Sequence, residues 1–342
     1  MTKGQHSPAP GSRWRGRETA LGFCLLISLG VLVVVIESHS GGGPPTAVAA
    51  SSRPAGAVVT AKAAAASASA SASASASASA SASASGSAGS GVAAPVARGN
   101  PLNAAVTSYL RTRSGVVLAA VYDLGSKQSW TIGSSGQAQD EASVVKVDVL
   151  ETLLAQRPGG LSAADQALAQ RMIEDSDNDA ATTLWDTVGG ASGIRAFNTH
   201  AGLSGTVPSR CVQCPGFPWP GWGLTTTTPL DQLALLRQLV SPSGSVLTAA
   251  ERNYALRLME NVTADQRWGV SGGVPAQASV ALKNGWLPLN AAQTDWQVNS
   301  VGWVSGLGRN YLIAVLSTRN PSEAYGIETV SELSALVWQH LA

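Results

Sequence analysis

The chain of 342 residues carries 22 Lys and Arg residues against 21 Asp and Glu residues, which gives a formal net charge of +1 at pH 7. Residues 1–100 hold 7 of the basic and 2 of the acidic residues, so the remainder is mildly acidic. The sequence shows no basic patch that would predict a nucleic-acid partner. Residues 101–342 are long enough to form one large core or two interlocked subdomains.

The first 36 residues predict a membrane segment. Residues 1–19 form a basic segment, and an apolar run of 17 residues follows over 20–36. Basic residues before an apolar segment hold the N-terminus in the cytoplasm, so residues 20–36 are predicted to be a transmembrane anchor or a signal sequence. Cleavage stays open, because the A-x-A pattern at 47–49 lies well beyond the run. Cys24 follows a phenylalanine, a poor match to lipid-attachment sites, so no lipid anchor is expected.

Residues 37–100 are predicted to form a disordered linker. They open on a Gly/Pro-rich stretch, and Ser and Ala alternate strictly from Ser67 to Ser85. Such a tract carries too little apolar bulk to offset the chain entropy lost on folding. The linker would tether residues 101–342 outside the cytoplasm. We therefore expect an extracytoplasmic protein, membrane-anchored or secreted, on the cell wall side of the plasma membrane.

Residues 101–342 show an alternation of strand and helix patterns. Two strands are predicted first, at 116–121 and near Trp130, and three more late in the chain, at 279–284, 296–304 and 311–318. Helices are predicted between them and at the end, over 143–156, 162–174, 178–188, 229–240, 248–260 and 326–341. Because the two early strands must meet the three late ones to make one sheet, we expect an α+β fold with an inserted helical subdomain.

Ser143-Val-Val-Lys146 is an S-x-x-K motif at a predicted helix start. The backbone N–H of Ser143 would point out of that end, where the helix dipole favours negative charge. Lys146 falls on the same face. In a partly desolvated cleft near a second cation, the pKa of Lys146 would drop enough for it to take the serine proton. Lys283 is the candidate second cation. The alternative is a capping serine followed by a surface lysine.

Ser176-Asp177-Asn178 is an S-D-N motif between two predicted helices. It is either an ordinary helix cap, for which all three residue types are suited, or a functional site. In the functional interpretation Ser176 passes a proton, and Asn178 binds both Lys146 and a substrate amide.

Lys283-Asn284-Gly285 differs by one residue from K-T-G and ends a predicted strand. Gly285 has no Cβ, which would let a ligand approach the backbone closely. The alternative is a strand that runs into a turn with an exposed lysine. The order and spacing of the three motifs favour the functional interpretation at all three.

Together the motifs form the signature set of penicillin-interacting serine enzymes. Residues 101–342 resemble the class A β-lactamase and penicillin-binding serine hydrolase superfamily, in particular its actinobacterial β-lactamase-like members. The resemblance implies a β-lactamase/DD-peptidase-like fold with a five-stranded antiparallel sheet, flanking helices and an inserted all-α subdomain. It also implies Ser143 as the acylated nucleophile, Lys146 as its base, Ser176 as a proton relay and Lys283 as an electrostatic contact for a substrate carboxylate.

The same resemblance implies the substrate contacts. Asn178, Asn284 and Gly285 would bind the substrate, and the backbone N–H groups of Ser143 and Trp286 would form the oxyanion hole. Asn284 departs from the family, which has Thr or Ser there. An amide lacks their hydroxyl but can still donate a hydrogen bond.

A second departure concerns the base for deacylation. Class A β-lactamases use a glutamate of an E-x-x-L-N motif in the omega loop, but residues 187–230 contain no Asp or Glu. The residue there that titrates near neutral pH is His200. Asp175 and Glu174 are conceivable substitutes, although their position is typical of a helix end. General-base assistance is worth roughly 10²–10⁴-fold, so we expect slow turnover of β-lactams.

Cys211 and Cys214 form a C-x-x-C pair in the same region. Zinc would need two more ligands, and a redox motif would need a thioredoxin-like setting, so outside the cytoplasm a local disulfide is favoured. Several tryptophans either line a cleft or belong to the core, namely Trp219, Trp222, Trp286, Trp296 and Trp303.

The sequence therefore predicts an extracytoplasmic serine hydrolase that forms an acyl-enzyme at Ser143. Its expected partner is a peptidoglycan-type peptide or a β-lactam, and residues 20–36 would contact the membrane. No cofactor, metal or nucleic acid is expected, and the chain is expected to be a monomer. Two alternatives stay open, a weak class A-like β-lactamase with an unrecognised base and a catalytically idle cell-wall-binding domain.

Overall fold

The computed structural model describes residues 99–134 and 136–341. The predicted basic segment 1–19, the predicted anchor or signal sequence 20–36 and nearly all of the predicted linker lie outside these residues. Within the part that is described, no helix combines the length and the hydropathy that crossing a bilayer requires.

The predicted five-stranded antiparallel sheet is confirmed. Its strand order is β2-β1-β7-β6-β5, with every neighbouring pair antiparallel, and β3 and β4 form a separate two-stranded ladder. The late strands extend several residues beyond their predicted ends. The strands, in chain order, are β1 (Val116–Asp123), β2 (Ser129–Ile132), β3 (Gln139–Asp140), β4 (Thr226–Thr227), β5 (Ser279–Pro288), β6 (Trp296–Gly306) and β7 (Arg309–Asn320).

Helices cover both faces of the sheet. They are α1 (Ala104–Leu110), α2 (Val145–Ala155), α3 (Ala163–Glu174), α4 (Asn178–Thr187), α5 (Gly190–Ala201), α6 (Pro229–Val240), α7 (Ala249–Glu260) and α8 (Glu323–His340). The predicted helix 143–156 begins as a 3₁₀ turn, Ala142–Val144, before α2. Sequence patterns missed α1, which is short, and α5, which opens on glycines. A Cβ at Gly193 would collide with the Val188 carbonyl oxygen, so glycine lets α5 pack closely on the end of α4.

Alternating residues of the sheet enter two different cores. On β7, Leu312 and Ala314 join the core beneath α2–α7, whereas Ile313 and Val315 join the core beneath α1 and α8. Successive strand residues point to opposite faces, and both faces are covered. This burial explains why the strands read as continuous apolar runs rather than as alternating ones.

Helix α2 lies at the centre of the helical layer and is buried along almost its whole length. Three carboxyl groups are buried with it, those of Glu141, Asp148 and Glu151. Burial disfavours the charged form of an acid. It raises the pKa of Asp148 to about 7 and raises the pKa values of Glu141 and Glu151 well above their usual range.

Strand β5 lies at the edge of the sheet beside the turn that carries Ser143. A Cβ at Gly285 would stand 2.6 Å from the backbone nitrogen of Ser143 and 2.7 Å from that of Val144. The space that the sequence suggested for a ligand is thus occupied by the backbone of the Ser143 turn. Glycine at this position lets the third motif pack directly against the first.

The buried acids predict a pH-dependent stability. Between about pH 4 and 7 the unfolded chain releases protons that the folded carboxyls keep, so the free energy of unfolding falls as pH rises, by about 1.4 kcal/mol per pH unit for each such group. Asp148→Asn should reduce this fall in urea unfolding of the full chain, whereas Asp186→Asn, on the exposed side of α4, should leave it unchanged. An equal fall in wild type and Asp148→Asn would contradict the assignment.

Packing at Gly285 predicts that Gly285→Ala lowers the free energy of unfolding by about 1–3 kcal/mol, because the neighbouring backbone has little room to yield. Gly159→Ala is a matched control, since a Cβ at that exposed turn meets nothing within 4 Å. Thermal and urea unfolding of both variants measure the difference. A Gly285→Ala protein as stable as the control would show that the contact is relaxed in solution.

Candidate active site

Ser143 lies in the 3₁₀ turn before α2 and is partly exposed. The residue before it, Ala142, has a φ of 50°, a left-handed conformation that is uncommon without glycine and that occurs often at functional sites. Asn299 on β6 stabilises this segment, because its side-chain nitrogen donates to the carbonyls of Asp140 and Glu141 at 2.8 and 2.9 Å. Sequence reasoning missed Asn299, whose one signal is an amide within a buried strand.

Lys146 is fully buried and points from α2 towards the second motif. Its Nζ donates to the carbonyl oxygen of Ser176 at 2.6 Å, to the Ser176 hydroxyl at 3.0 Å and to the Asn178 side-chain oxygen at 2.8 Å. The predicted contact between Lys146 and Asn178 is therefore present in the geometry. Asp177 caps α4 instead, accepting from the backbone N–H groups of Asp179 and Ala180.

Lys283 reaches the same hydroxyl from strand β5. The residue is 1% exposed, and its Nζ donates to Ser176 Oγ at 2.8 Å and to the carbonyl of Asn284 at 3.0 Å. The Ser176 hydroxyl oxygen, which can accept two hydrogen bonds, therefore lies within hydrogen-bonding distance of both amines. The Ser176 backbone has a φ of 56°, again left-handed for a non-glycine residue. The three motifs thus converge on one oxygen atom.

Burial controls the charge of the two lysines. It lowers the pKa of Lys146 well below its usual range, and the neighbouring Lys283 lowers it further, while Asp177 opposes the shift. Burial also lowers the pKa of Lys283 to about 7. A neutral lysine amine can accept a proton, so the pair can supply a base at neutral pH.

Asn284 does not reach the cleft. The residue is 1% exposed; its side-chain nitrogen donates to the carbonyls of Gln266 and Trp268, and its side-chain oxygen accepts from the Ser300 hydroxyl at 2.6 Å. The amide predicted to contact a substrate instead ties β5 to the segment before it and to β6. Trp286, two residues on, is partly exposed and lines the cleft.

A cleft of about 340 Å³ opens in front of Ser143, Ser176 and Asn178. Trp219, Trp286 and Trp296 line it, three of the five tryptophans for which the sequence left a cleft or a core position open. Trp303 packs elsewhere, and its Nε1 donates to Asn310. Two carboxylates also line this space, Asp175 and Glu323. No sequence signal pointed to Glu323, which begins α8 far along the chain.

His200 is not at the site. It is exposed at the end of α5, with its Nδ1 2.8 Å from the Ala196 carbonyl of the same helix. The residue that the 187–230 segment brings against Lys146 is Trp222, whose ring centroid lies 5.1 Å from Nζ. The predicted disulfide between Cys211 and Cys214 is present in this segment.

Comparison with known proteins identifies relatives at low sequence identity. Proteins of Mycobacterium tuberculosis and Mycobacterium bovis named "Putative lipoprotein LppW" are 26% identical over 221 residues, which cover 62% of this chain. The match spans 66% of those relatives' own length, just under two thirds.

Solved structures share the fold. The class A beta-lactamase from Mycobacterium abscessus is 21% identical with a TM-score of 0.56, and a beta-lactamase from Chitinophaga pinensis is 20% identical with a TM-score of 0.61. Each match covers 69% of this chain and 97% of the other. The β-lactamase-like α+β fold expected from the motifs is thereby confirmed.

The family assignment rests on a match that includes both the strands and the helical layer. Residues 116–341, which contain all three motifs, match the family model described as "Beta-lactamase enzyme family", and the chain belongs to this family.

Proposed function

We propose that this family member is an extracytoplasmic serine hydrolase that forms an acyl-enzyme at Ser143 and acts on peptidoglycan-type peptides. The observation that carries the proposal is the convergence of Lys146 and Lys283 on the Ser176 hydroxyl. A helix cap and two surface lysines would not produce it, because both amines are removed from water.

In the proposed reaction, Lys146 takes the Ser143 proton while Ser143 Oγ attacks the carbonyl carbon of an amide or lactam. The C–O bond forms, the C–N bond breaks, and the proton passes through Ser176 to the leaving nitrogen. Both amines lie within hydrogen-bonding distance of Ser176 Oγ, and in this proposal the Ser176 O–H donates to the leaving group. The backbone N–H groups of Ser143 and Trp286 would bind the oxyanion. Strand β5 is an edge strand, so N–H groups on its free side are available.

The shape of the cleft supports a peptide-like substrate. The space in front of Ser143 adjoins a second one of about 590 Å³, and Trp219, Pro288 and Gln293 line both. Tryptophan and proline walls suit an extended chain, which they contact over a large area. In this proposal Asn178 contacts the substrate amide. Lys283 is buried and attracts a substrate carboxylate through its charge, without contacting it directly.

The cellular setting forms part of the proposal. A disulfide in the described chain is typical of an oxidising compartment, and the mycobacterial relatives carry the word lipoprotein in their name. Residues 20–36 would hold or export the chain, and residues 37–100 would place the monomeric domain of residues 101–342 within reach of the wall.

Acylation of Ser143 is tested with a fluorescent penicillin on the full chain. We expect an adduct on wild type that persists for hours, since no omega-loop carboxylate activates water, and no adduct on Ser143→Ala. Lys146→Met should slow acylation by roughly 10²-fold or more, the range for a lost general base. Intact-mass spectrometry over time measures adduct formation and loss.

The controls separate the alternatives. Lys127→Met removes a lysine far from the motifs, in the β1–β2 turn, and should leave labelling unchanged. Rapid adduct loss with released product would indicate a working β-lactamase. Absence of any adduct on wild type, with folding verified by circular dichroism, would favour an idle binding domain.

A further inference from the structure

Trp222 covers the side of Lys146 that the second motif leaves open. It is 3% exposed, and the Lys146 Nζ lies 5.1 Å from its ring centroid. Its Nε1 donates to the Thr182 hydroxyl at 3.0 Å. Since Thr182 stands on α4, one turn after Asn178, the tryptophan is tied to the helix that carries the second motif.

The loop closed by the disulfide contacts the turn that carries this tryptophan. The N–H of Gly221, its neighbour, donates to the Val212 carbonyl at 2.7 Å, within the loop that Cys211 and Cys214 close. A Cβ at Gly221 would collide with the Cys211 carbonyl oxygen and the Cys214 sulfur. The clipped loop therefore packs directly on the turn that presents Trp222.

A small space of about 40 Å³ lies between Trp222, Ser143 and Asn178. A water molecule occupies about 30 Å³ in the liquid, so the space has room for one. Among the described residues that line it, the side chains of Ser143 and Asn178 offer oxygen atoms that could bond a water, and none of the lining residues is a carboxylate or an imidazole. A water here would find partners but no strong base.

The geometry points to Trp222 as a residue that makes the acyl-enzyme long-lived by filling space beside Ser143. This inference rests on the proposed function. The Trp222 ring lies beside Lys146 Nζ and borders the small space next to Ser143, so it fills volume from which a carboxylate could otherwise reach a water in that space. Hydrolysis requires water to lose a proton as its oxygen bonds to the acyl carbon, while the Ser143 C–O bond breaks and the serine oxygen regains a proton. Because no carboxylate of the described residues borders this small space to take the first proton, this step is slow and the acyl group remains available to other acceptors.

Trp222→Glu tests the inference directly. The carboxylate should raise the rate of adduct loss by about 10-fold or more, within the usual range for a general base, and the gain should disappear at low pH as the carboxyl is protonated. Trp222→Gln is the matched control, with the same length and no basic oxygen, and should lack this pH-dependent gain. Trp222→Phe, which keeps an aromatic face, should release as slowly as wild type. Loss of bound fluorescent penicillin from the full chain measures all four rates.

A second experiment tests the inference without requiring that the Trp222→Glu variant folds. Trp222→Ala opens a cavity, and added formate should accelerate adduct loss in proportion to its concentration in this variant but not in wild type. Equal rates for the Glu and Gln variants across pH, or no effect of formate on Trp222→Ala, would overturn the inference. So would slower release in Asp175→Asn or Glu323→Gln, since a cleft carboxylate would then already be the base. Failure of wild type to label at all would overturn the proposed function itself, which is a distinguishable result.

Discussion

The site depends on two lysine amines that share one serine hydroxyl in a place almost without water. Among the described residues, no carboxylate lies within hydrogen-bonding distance of Lys146 or Lys283; the partners of both amines there are hydroxyl, carbonyl and amide oxygens. Burying an unpaired charge costs several kcal/mol, and a second like charge nearby adds to that cost. The amines therefore tend to lose protons, which is the condition for Lys146 to act on Ser143.

The surrounding fold keeps these groups together. Glycine at 285 lets the edge strand press against the Ser143 turn, Asn299 holds the segment before that turn, and Asn284 fixes β5 from within. The left-handed backbone at Ala142 and Ser176 costs roughly 1–3 kcal/mol at each residue. Such conformations persist because the contacts around both turns stabilise them by more than this cost.

Much of the fold was predictable from the sequence because its signals are local. Buried strands read as apolar runs, helix caps such as Thr248 stand where the helices begin, and the C-x-x-C spacing suits a short disulfide loop. Helix α5 escaped prediction since its glycines lower helix propensity and are retained for close packing on α4. The motif residues were predictable as a set, because each motif supplies a residue type that the chemistry needs.

Contacts that join distant segments were not predictable. The sequence placed Asn284 beside a substrate, but neighbouring strand residues face opposite ways, and this amide faces the protein. It indicated that residues 187–230 lack a carboxylate, yet only the three-dimensional path of that loop brings Trp222 against Lys146. Asn299 and Glu323 carry no motif and reach the site through the sheet and through α8.

The protonation of Lys146 is the most direct test of this account. The chain has five lysines, so lysine-selective ¹³Cε labelling of the full chain gives a simple spectrum, and Lys146→Met and Lys283→Met assign the two signals of interest. We predict that the Lys283 amine titrates at about pH 7. The pKa of Lys146 should lie well below the usual range of a lysine, and the pKa of Lys146 should rise in Lys283→Met. A Lys146 signal that stays protonated up to about pH 10, as for an ordinary lysine, would contradict the account.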